Sequence, residues 1–484
     1  MPGYFAIDRL SFRRHSLQHQ RTRLPKTGPM DTFAQPHTPR GTHRRSRSPL
    51  RIRGDLTFGV ASVGLGLIVG SSVVTTRSMW DAPGGLATSL GTVSAMAGTY
   101  LCLVLLLLIS RVPWLEREVG HDRMVLWHRT VAPWSLLLIL GHVFLTALGF
   151  GQTSGVNVFA ELWSIILTYP WMVPAACGFA IMMLLGVMSY RRIRERMKYE
   201  TWWTAHLYFY VAVVLAFGHQ LETGTVLTQH VWFRWIWIAM YVFVFGTILV
   251  SRVISPLVTS RRHQLRVSHV VNEAPGMVSV YITGRDLGSL AARGGQFFQW
   301  RFMTRHWWWQ AHPYSLSAGP TGQWLRITVK NLGDQSGELA AILRPGTRVI
   351  AEGPYGVFTA DRRRSDSVVA FAAGVGITPI RAMLDDMPVS ADVTLLYRVT
   401  DLDSVPLRHE LEELAIRSGW KLWYLPGTRN DHPMTVNYLS QFAPNLSTSD
   451  VFVCGPTSFT DSVLATARAA GVPESSLHHE SFAF

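Results

Sequence analysis

Cysteine is scarce in this chain of 484 residues. Cys102, Cys177 and Cys454 are too few for a disulfide framework and fewer than the four thiolates of a typical iron–sulfur cluster. That excludes a plant-type ferredoxin domain. Charge is scarce too: 16% of residues are Asp, Glu, Lys or Arg and 48% are hydrophobic, whereas an average soluble protein carries about 25% charged residues. Part of the chain must therefore avoid water. The net charge of +14 is local, because residues 1–54 hold twelve Arg and Lys against Asp8 and Asp31. The remainder is near neutral, so the charge balance does not require a nucleic-acid partner, and none is expected.

Residues 1–54 also lack hydrophobic periodicity and read as a disordered basic cytoplasmic tail. They have no apolar core and small-residue cleavage site of a signal peptide, so the first membrane helix is expected to serve as the insertion signal. Long apolar runs follow. Six of about 20 residues, enough to cross a bilayer, fall at 56–76, 88–110, 125–149, 170–190, 203–221 and 232–254. Arg111, Arg117 and Arg123 follow the second run, Arg191, Arg192, Arg194, Arg196 and Lys198 the fourth, and Arg252, Arg261 and Arg262 the sixth. The other connections are poor in positive charge, holding Arg77 with Asp81, Glu161 alone, and Glu222 with Arg234. Lys and Arg mark cytoplasmic loops, so both termini are expected inside.

Ionisable residues within membrane spans are expensive, and each is a functional candidate. The third span contains His128 and His142, the fifth His206 and His219. Both spans run outward, which sets His128 level with His206 and His142 level with His219. Two pairs at two depths suit two haems, each held by one imidazole from either side; polar residues bonded to neighbouring helices, or a proton relay, are the alternatives. Fourteen residues of helix rise about 21 Å, which separates the two levels across the bilayer. Thirteen residues, however, miss a whole number of turns by about 140°. The fifth span must be kinked, tilted or rewound if both its histidines face the third.

Beyond residue 260 the pattern changes to short alternating runs such as 277–283 and 325–330, read as an antiparallel β-barrel over 260–362. Apolar strands at 367–373, 393–397, 421–425 and 451–454 alternate with helices, the pattern of a doubly wound α/β domain over 366–484. Gly374 and Gly376 form a turn between strand and helix, where glycine lets a dinucleotide pyrophosphate approach the backbone. Arg398, after a strand ending in Tyr397, is placed to meet an adenosine 2′-phosphate with help from Arg429; a solvated charge is the alternative for each.

Gly295-Gln296-Phe297-Phe298, His312-Pro313-Tyr314-Ser315-Leu316-Ser317, Glu352-Gly353-Pro354-Tyr355-Gly356, the turn ending in Thr378-Pro379, and Cys454-Gly455-Pro456 occur in that order. Together they resemble the ferredoxin–NADP reductase superfamily. The resemblance implies that Tyr314 and Ser315, within a motif spanning His312, Pro313 and Ser317, hold the FAD ring. It places the flavin pyrophosphate at Gly333-Asp334-Gln335-Ser336, just after Lys330 and before a helix-like 338–343, and Cys454 beside the nicotinamide. The usual Arg opening the flavin motif is His312 here. Relatives end in an aromatic stacked on the flavin, which makes Phe482 the first candidate and Phe484 the second.

Six spans, histidine pairs fourteen and thirteen apart and this reductase half look like the ferric reductase/NADPH oxidase superfamily, with a six-helix haem domain over 55–255. That resemblance implies a multi-domain membrane enzyme, bacterial by its short outer loops, moving electrons from cytosolic NADPH through FAD and two b-type haems. The extracytoplasmic acceptor is a ferric chelate or O2. A membrane haem and flavin subunit serving a protein redox partner is the alternative, and a cofactor-free transporter or receptor a third. The absence of an iron–sulfur cysteine set weighs against the second, and the paired histidines with the flavin motif against the third.

Overall fold

The computed structural model describes residues 49–112, 115–116, 119–305, 307–331, 342–403, 405–428 and 430–481. The basic tail, the 333–336 segment with most of the helix-like 338–343, Arg429, Phe482 and Phe484 lie outside the described residues.

Six helical stretches are long and apolar enough to span a membrane: Asp55–Met79, Gly85–Leu108, Arg123–Ser154, Met172–Ser189, Thr201–Thr223 and Val231–His263. They belong to α1 (Pro49–Thr76), α2 (Gly85–Leu108), α3 (His121–Ser154), α5 (Met172–Ser189), a fifth stretch described below, and α9 (Val231–Leu249). A shorter helix, α4 (Val158–Thr168), precedes α5 and is capped by Asn157, whose side chain accepts from the amides of Phe159 and Ala160. Large apolar side chains such as Leu67, Phe144 and Val242 point outward, as a lipid-facing surface requires. Inside, α2 packs along α3 through small residues. A Cβ at Gly91 would lie 2.6 Å from Thr146 Oγ1 and 3.0 Å from the Thr146 amide, so only glycine allows this approach.

The fifth stretch is not one helix. It is α6 (Tyr199–His206), α7 (Tyr208–Leu215) and α8 (Phe217–Thr223), broken at Leu207 and Ala216. Around Leu207 the bonding tightens: its amide reaches both the Trp203 and Thr204 carbonyls, and the Tyr210 amide donates to Leu207 O at 3.1 Å. Three-residue bonding advances about 120° per residue instead of about 100°, so these breaks rewind the chain in the sense that the thirteen-residue spacing needs.

Helix α9 continues through a π-helical turn, Val250–Ile254, into α10 (Ser255–His263), which packs on the first cytosolic sheets. Those sheets are two antiparallel triples. One is ordered β1 (Arg266–Ala274), β2 (Met277–Thr283), β5 (Trp324–Lys330), and the other β4 (His312–Ser315), β3 (Phe297–Phe302), β6 (Val349–Tyr355). They touch only through isolated bridges at Arg266–Arg348 and Leu316–Ile327. The sequence pattern suggests one closed barrel; the described ladders do not close. Strand β4 has only four residues, and Pro313 in its middle has no amide to donate. A common core, including Phe298, Trp300, Phe302 and Ile327, fills the space between the triples.

A five-stranded parallel sheet follows, ordered β11 (Leu477–Ser481), β10 (Asp450–Gly455), β7 (Ser367–Ala373), β8 (Asp392–Val399), β9 (Lys421–Pro426). Alternate residues of its central strands enter different cores, Ala370, Leu395 and Phe452 with Ile380 and Leu411, and Phe371, Leu396 and Val453 with Leu439 and Val463. Helices α11 (Ile377–Asp385) and α12 (Arg408–Ser418) thus cover one face, α13 (Val436–Leu439) and α14 (Thr457–Ala469) the other.

Candidate functional site

Two pairs of imidazoles face each other across the bundle. The ring centres of His128 on α3 and His206 at the end of α6 are 6.3 Å apart with planes inclined by 68°. Those of His142 and His219, on α3 and α8, are 6.5 Å apart and inclined by 26°. Helix α2 sets the two histidines of α3. His128 Nδ1 lies 3.2 Å from the Leu105 carbonyl and His142 Nδ1 3.0 Å from the Gly91 carbonyl. A carbonyl only accepts, so each Nδ1 carries the proton and each Nε2 keeps its lone pair for a metal. Thr146 Oγ1, at 3.2 Å, adds a second contact to His142 Nδ1. His206 lies between Trp202 and Phe209, each with ring centres 5.0 Å from its own, and its Nδ1 is 3.4 Å from Ser189 Oγ.

On the cytosolic side the flavin-motif residues sit on β4, in register with β3: His312 opposite Trp300, Pro313 opposite Gln299, Tyr314 opposite Phe298 and Ser315 opposite Phe297. The Tyr314 ring lies nearly parallel to His312, and burial pushes its phenol up to about 12. The Ser315 hydroxyl is buried without a hydrogen-bond partner among the described residues. Gly353 lies on β6, the other neighbour of β3. Ser317 is differently engaged: its hydroxyl accepts from Arg326 Nε at 3.1 Å and from the Thr328 hydroxyl at 2.7 Å. Lys330 is exposed at the end of β5.

The nucleotide-side residues converge at the C-terminal edge of the parallel sheet. A tight turn, Gly374–Gly376, leads from β7 into α11. A Cβ at Gly376 would fall 2.2 Å from the Cys454 carbonyl, so glycine is required for the turn to lie on the end of β10. Thr378 Oγ1 donates to the Val375 carbonyl at 2.9 Å, and Pro379 is buried in the first turn of α11. Cys454 is fully buried, Gly455 ends β10, and Pro456 caps α14. Arg398, on β8 one strand away, acts on Asp431, whose carboxyl is held below its usual range first by the Thr428 hydroxyl and amide.

Sequence reasoning missed the charged contacts that join these parts. Arg326, buried in β5, pairs with both carboxylate oxygens of Glu410 on α12, where Arg381 also donates at 3.1 Å. Burial alone would raise Glu410, but the two arginines hold it below the usual carboxylate range. Arg252 and Arg111 meet Glu352 and Gln299 at the membrane seam. Charged residues at strand ends are too common for either group to stand out by pattern, although a lone Arg inside the apolar alternation of 325–330 is a signal.

Comparison with known proteins divides at the same seam. The family described as ferric reductase like transmembrane component matches residues 94–217, and the oxidoreductase NAD-binding domain matches residues 371–464. The ferredoxin reductase component of 3-ketosteroid-9-alpha-monooxygenase from Rhodococcus rhodochrous is 30% identical over 231 residues, 46% of this chain and 66% of that protein. A flavohemoprotein from Vibrio cholerae is 30% identical over 181 residues, 35% of this chain and 45% of that protein. The chain thus spans less than two thirds of either relative. Among solved structures, the flavohem-like FAD/NAD binding domain of nitric oxide dioxygenase from Vibrio cholerae aligns with a TM-score of 0.39 at 23% identity, covering 46% of this chain and 99% of that one. The chain joins a ferric-reductase-like transmembrane domain to an oxidoreductase NAD-binding domain, the fused architecture of the ferric reductase/NADPH oxidase superfamily.

Proposed function

We propose that this chain is a transmembrane oxidoreductase carrying electrons from cytosolic NADPH through FAD and two b-type haems to an extracytoplasmic acceptor, either a ferric chelate or O2, which yields superoxide. The observation that carries this reading is the pair of facing imidazole couples at 6.3 and 6.5 Å. Two metal–nitrogen bonds of about 2 Å, plus roughly 1.1 Å from each nitrogen to its ring centre, span about 6.3 Å. Each couple supplies two axial donors and no more: among the described residues no three His, Cys, Asp or Glu converge. An iron held there draws its other four donors from a macrocycle, which fits haem. The unpartnered Ser315 hydroxyl fits a flavin in the same way, offering a bond to the ring edge.

When bound, these groups split the hydride of one NADPH into two single electrons, so that two ferric acceptors become ferrous with release of NADP+ and one proton. The chain's own part is to hold and orient. Helix α2 fixes the imidazole tautomers, and Tyr314 and Ser315 seat the flavin. The Gly374–Gly376 turn and the start of α11 admit the dinucleotide pyrophosphate. Cys454 lies beside the nicotinamide, Arg398 faces the 2′-phosphate, and Phe482, with Phe484 second, covers the flavin until NADPH displaces it. On the outer side both expected cations are engaged: Arg77 stacks on Trp80, its guanidinium 5.6 Å from the ring centre, and Arg234 lies 3.7 Å from Glu222. Short outer loops leave an open site without a free cation reserved for superoxide, which favours low acceptor selectivity and ferric chelates over O2.

The test is anaerobic addition of NADPH to the purified full-length chain. Flavin bleaching followed by haem reduction, with no other protein present, is expected. Flavin reduction without haem reduction would favour a subunit that needs a redox partner, and a colourless protein would end the proposal. Ferrous-chelate formation under argon, measured beside dismutase-sensitive cytochrome c reduction in air, then ranks the acceptors. Robust superoxide without anaerobic iron reduction would reverse the ranking.

A further inference from the structure

The seam between the last membrane helix and the flavin-motif sheet contains a buried polar cluster that the electron path above does not use. Arg252 lies in the π-helical turn after α9. Its Nη1 donates to Glu352 Oε1 at 3.1 Å and its Nη2 to the Ile109 carbonyl, at the end of α2, at 2.9 Å. Glu352, on β6, has a side chain only 2% exposed and also accepts from the Tyr355 hydroxyl at 2.9 Å. Burial first, and then the Glu352 carboxylate, push the Tyr355 phenol well up, so it remains a donor. Arg111, just beyond α2, stacks on the Tyr355 ring at 5.3 Å, and both its terminal nitrogens donate to the Gln299 side-chain oxygen, at 2.7 and 3.0 Å. Two arginines from the cytoplasmic ends of two spans thus grip two adjacent strands of the sheet that carries Tyr314 and Ser315.

The contacts lie where packing is open. A cleft of about 590 Å³ borders the cluster, lined by Arg111, Glu352, Tyr355, Phe243 and Val250 among others. Buried ion pairs add little strength, since apolar replacements are often as stable, but they can specify one arrangement over others. The carbonyl that receives Arg252 lies one helical turn beyond Leu105, whose carbonyl orients His128. One two-armed guanidinium therefore ties β6 to the helix end that sets the inner histidine.

We propose that Arg252 is a positioning residue that, through Glu352 and the Ile109 carbonyl, holds the flavin-bearing sheet in register with the inner histidine pair and so governs electron passage from the cytosolic half into the membrane half. This rests on the electron path proposed above. Hydride transfer from NADPH, which takes place within the cytosolic half, does not depend on it. Arg252→Leu and Glu352→Gln therefore slow haem reduction about 10-fold while flavin bleaching stays within about twofold. The double variant is no slower than the slower single one, because both remove the same contact. Arg252→Lys does not rescue, since an ammonium group lacks the planar fork that serves both acceptors.

Stopped-flow mixing of the full-length protein in lipid discs with NADPH under argon resolves the two phases. Amide hydrogen exchange across residues 250–263 and 349–355, run without NADPH, reads the seam independently of turnover and is expected to quicken in both variants. Unchanged haem reduction, or flavin and haem phases slowed together, overturns the proposal. If the unaltered protein fails to reduce haem, the electron path fails; unchanged exchange in the variants then also rejects the positioning role.

Discussion

The two halves handle bound groups in opposite ways. In the membrane half the proposed chemistry rests on four imidazoles, and the surrounding helix supplies orientation through backbone carbonyls at Leu105 and Gly91. In the cytosolic half it rests largely on backbone shape, and polar side chains that match a motif are in places committed to the protein itself. Ser317 is bonded to Arg326 and Thr328, and Thr378 to its own turn. A lipid environment makes every polar side chain costly, so the few present report function; a water-exposed α/β unit imposes no such filter.

If the division is sound, the halves fail separately. The largest effect is expected from His142→Leu, which should remove one haem, leave the other, and cut electron delivery to outer acceptors at least about 100-fold. NADPH-driven flavin bleaching should stay unchanged, and haem quantification beside bleaching kinetics checks both. Gly376→Val should do the reverse: its side chain collides with the Cys454 carbonyl, costing several kcal/mol in the nucleotide unit, about 3 or more. NADPH should no longer bleach the flavin while dithionite still reduces both haems. Loss of haem in this variant would break the comparison.

A smaller effect tests side-chain recognition within the cytosolic half. Arg398→Ala should raise the KM for NADPH about 10-fold and leave that for NADH nearly unchanged, because only NADPH carries the 2′-phosphate. Equal kinetics with both dinucleotides in the unaltered protein would leave Arg398 to its neighbour Asp431 alone. The smallest effect concerns Asp450, which ties β10 to β11 through His478 at 3.0 Å and accepts from the amides of Arg364 and Ser365. Burial alone would raise its carboxyl, but these donors outweigh it and hold the group below its usual range. A depressed carboxylate stabilises the fold above its unfolded value near about 4, and that contribution is lost as pH falls through the lower folded value. Asp450→Asn should cost about 1–3 kcal/mol at neutral pH and flatten the acid side of the Tm profile below pH of about 4.

Much of the layout was legible because periodicity reports burial. The six spans lie close to their apolar runs, and β2 and β7 occupy the runs at 277–283 and 367–373. The mismatch in the thirteen-residue spacing signalled a distortion, and the fifth span breaks at Leu207 and Ala216. Its form was not legible, since single-residue breaks in an apolar helix leave no compositional mark. Nor was the open pairing of the two triples, which depends on the shortness of β4. The seam was illegible for another reason. Arg111 and Arg252 both read as ordinary inside-positive charges, and only the fold brings them to Glu352 and Gln299.

The claim that each facing histidine pair holds one haem is tested most directly by low-temperature electron paramagnetic resonance of the oxidised full-length protein. The inclination of two axial imidazoles sets the anisotropy of a low-spin ferric signal, and the inner planes differ by 68° and the outer by 26°. Two low-spin signals are predicted, a highly anisotropic one from the inner pair and a rhombic one from the outer, with His142→Leu abolishing the rhombic signal and sparing the other. High-spin iron in the unaltered protein, or both signals surviving in that variant, would contradict the assignment.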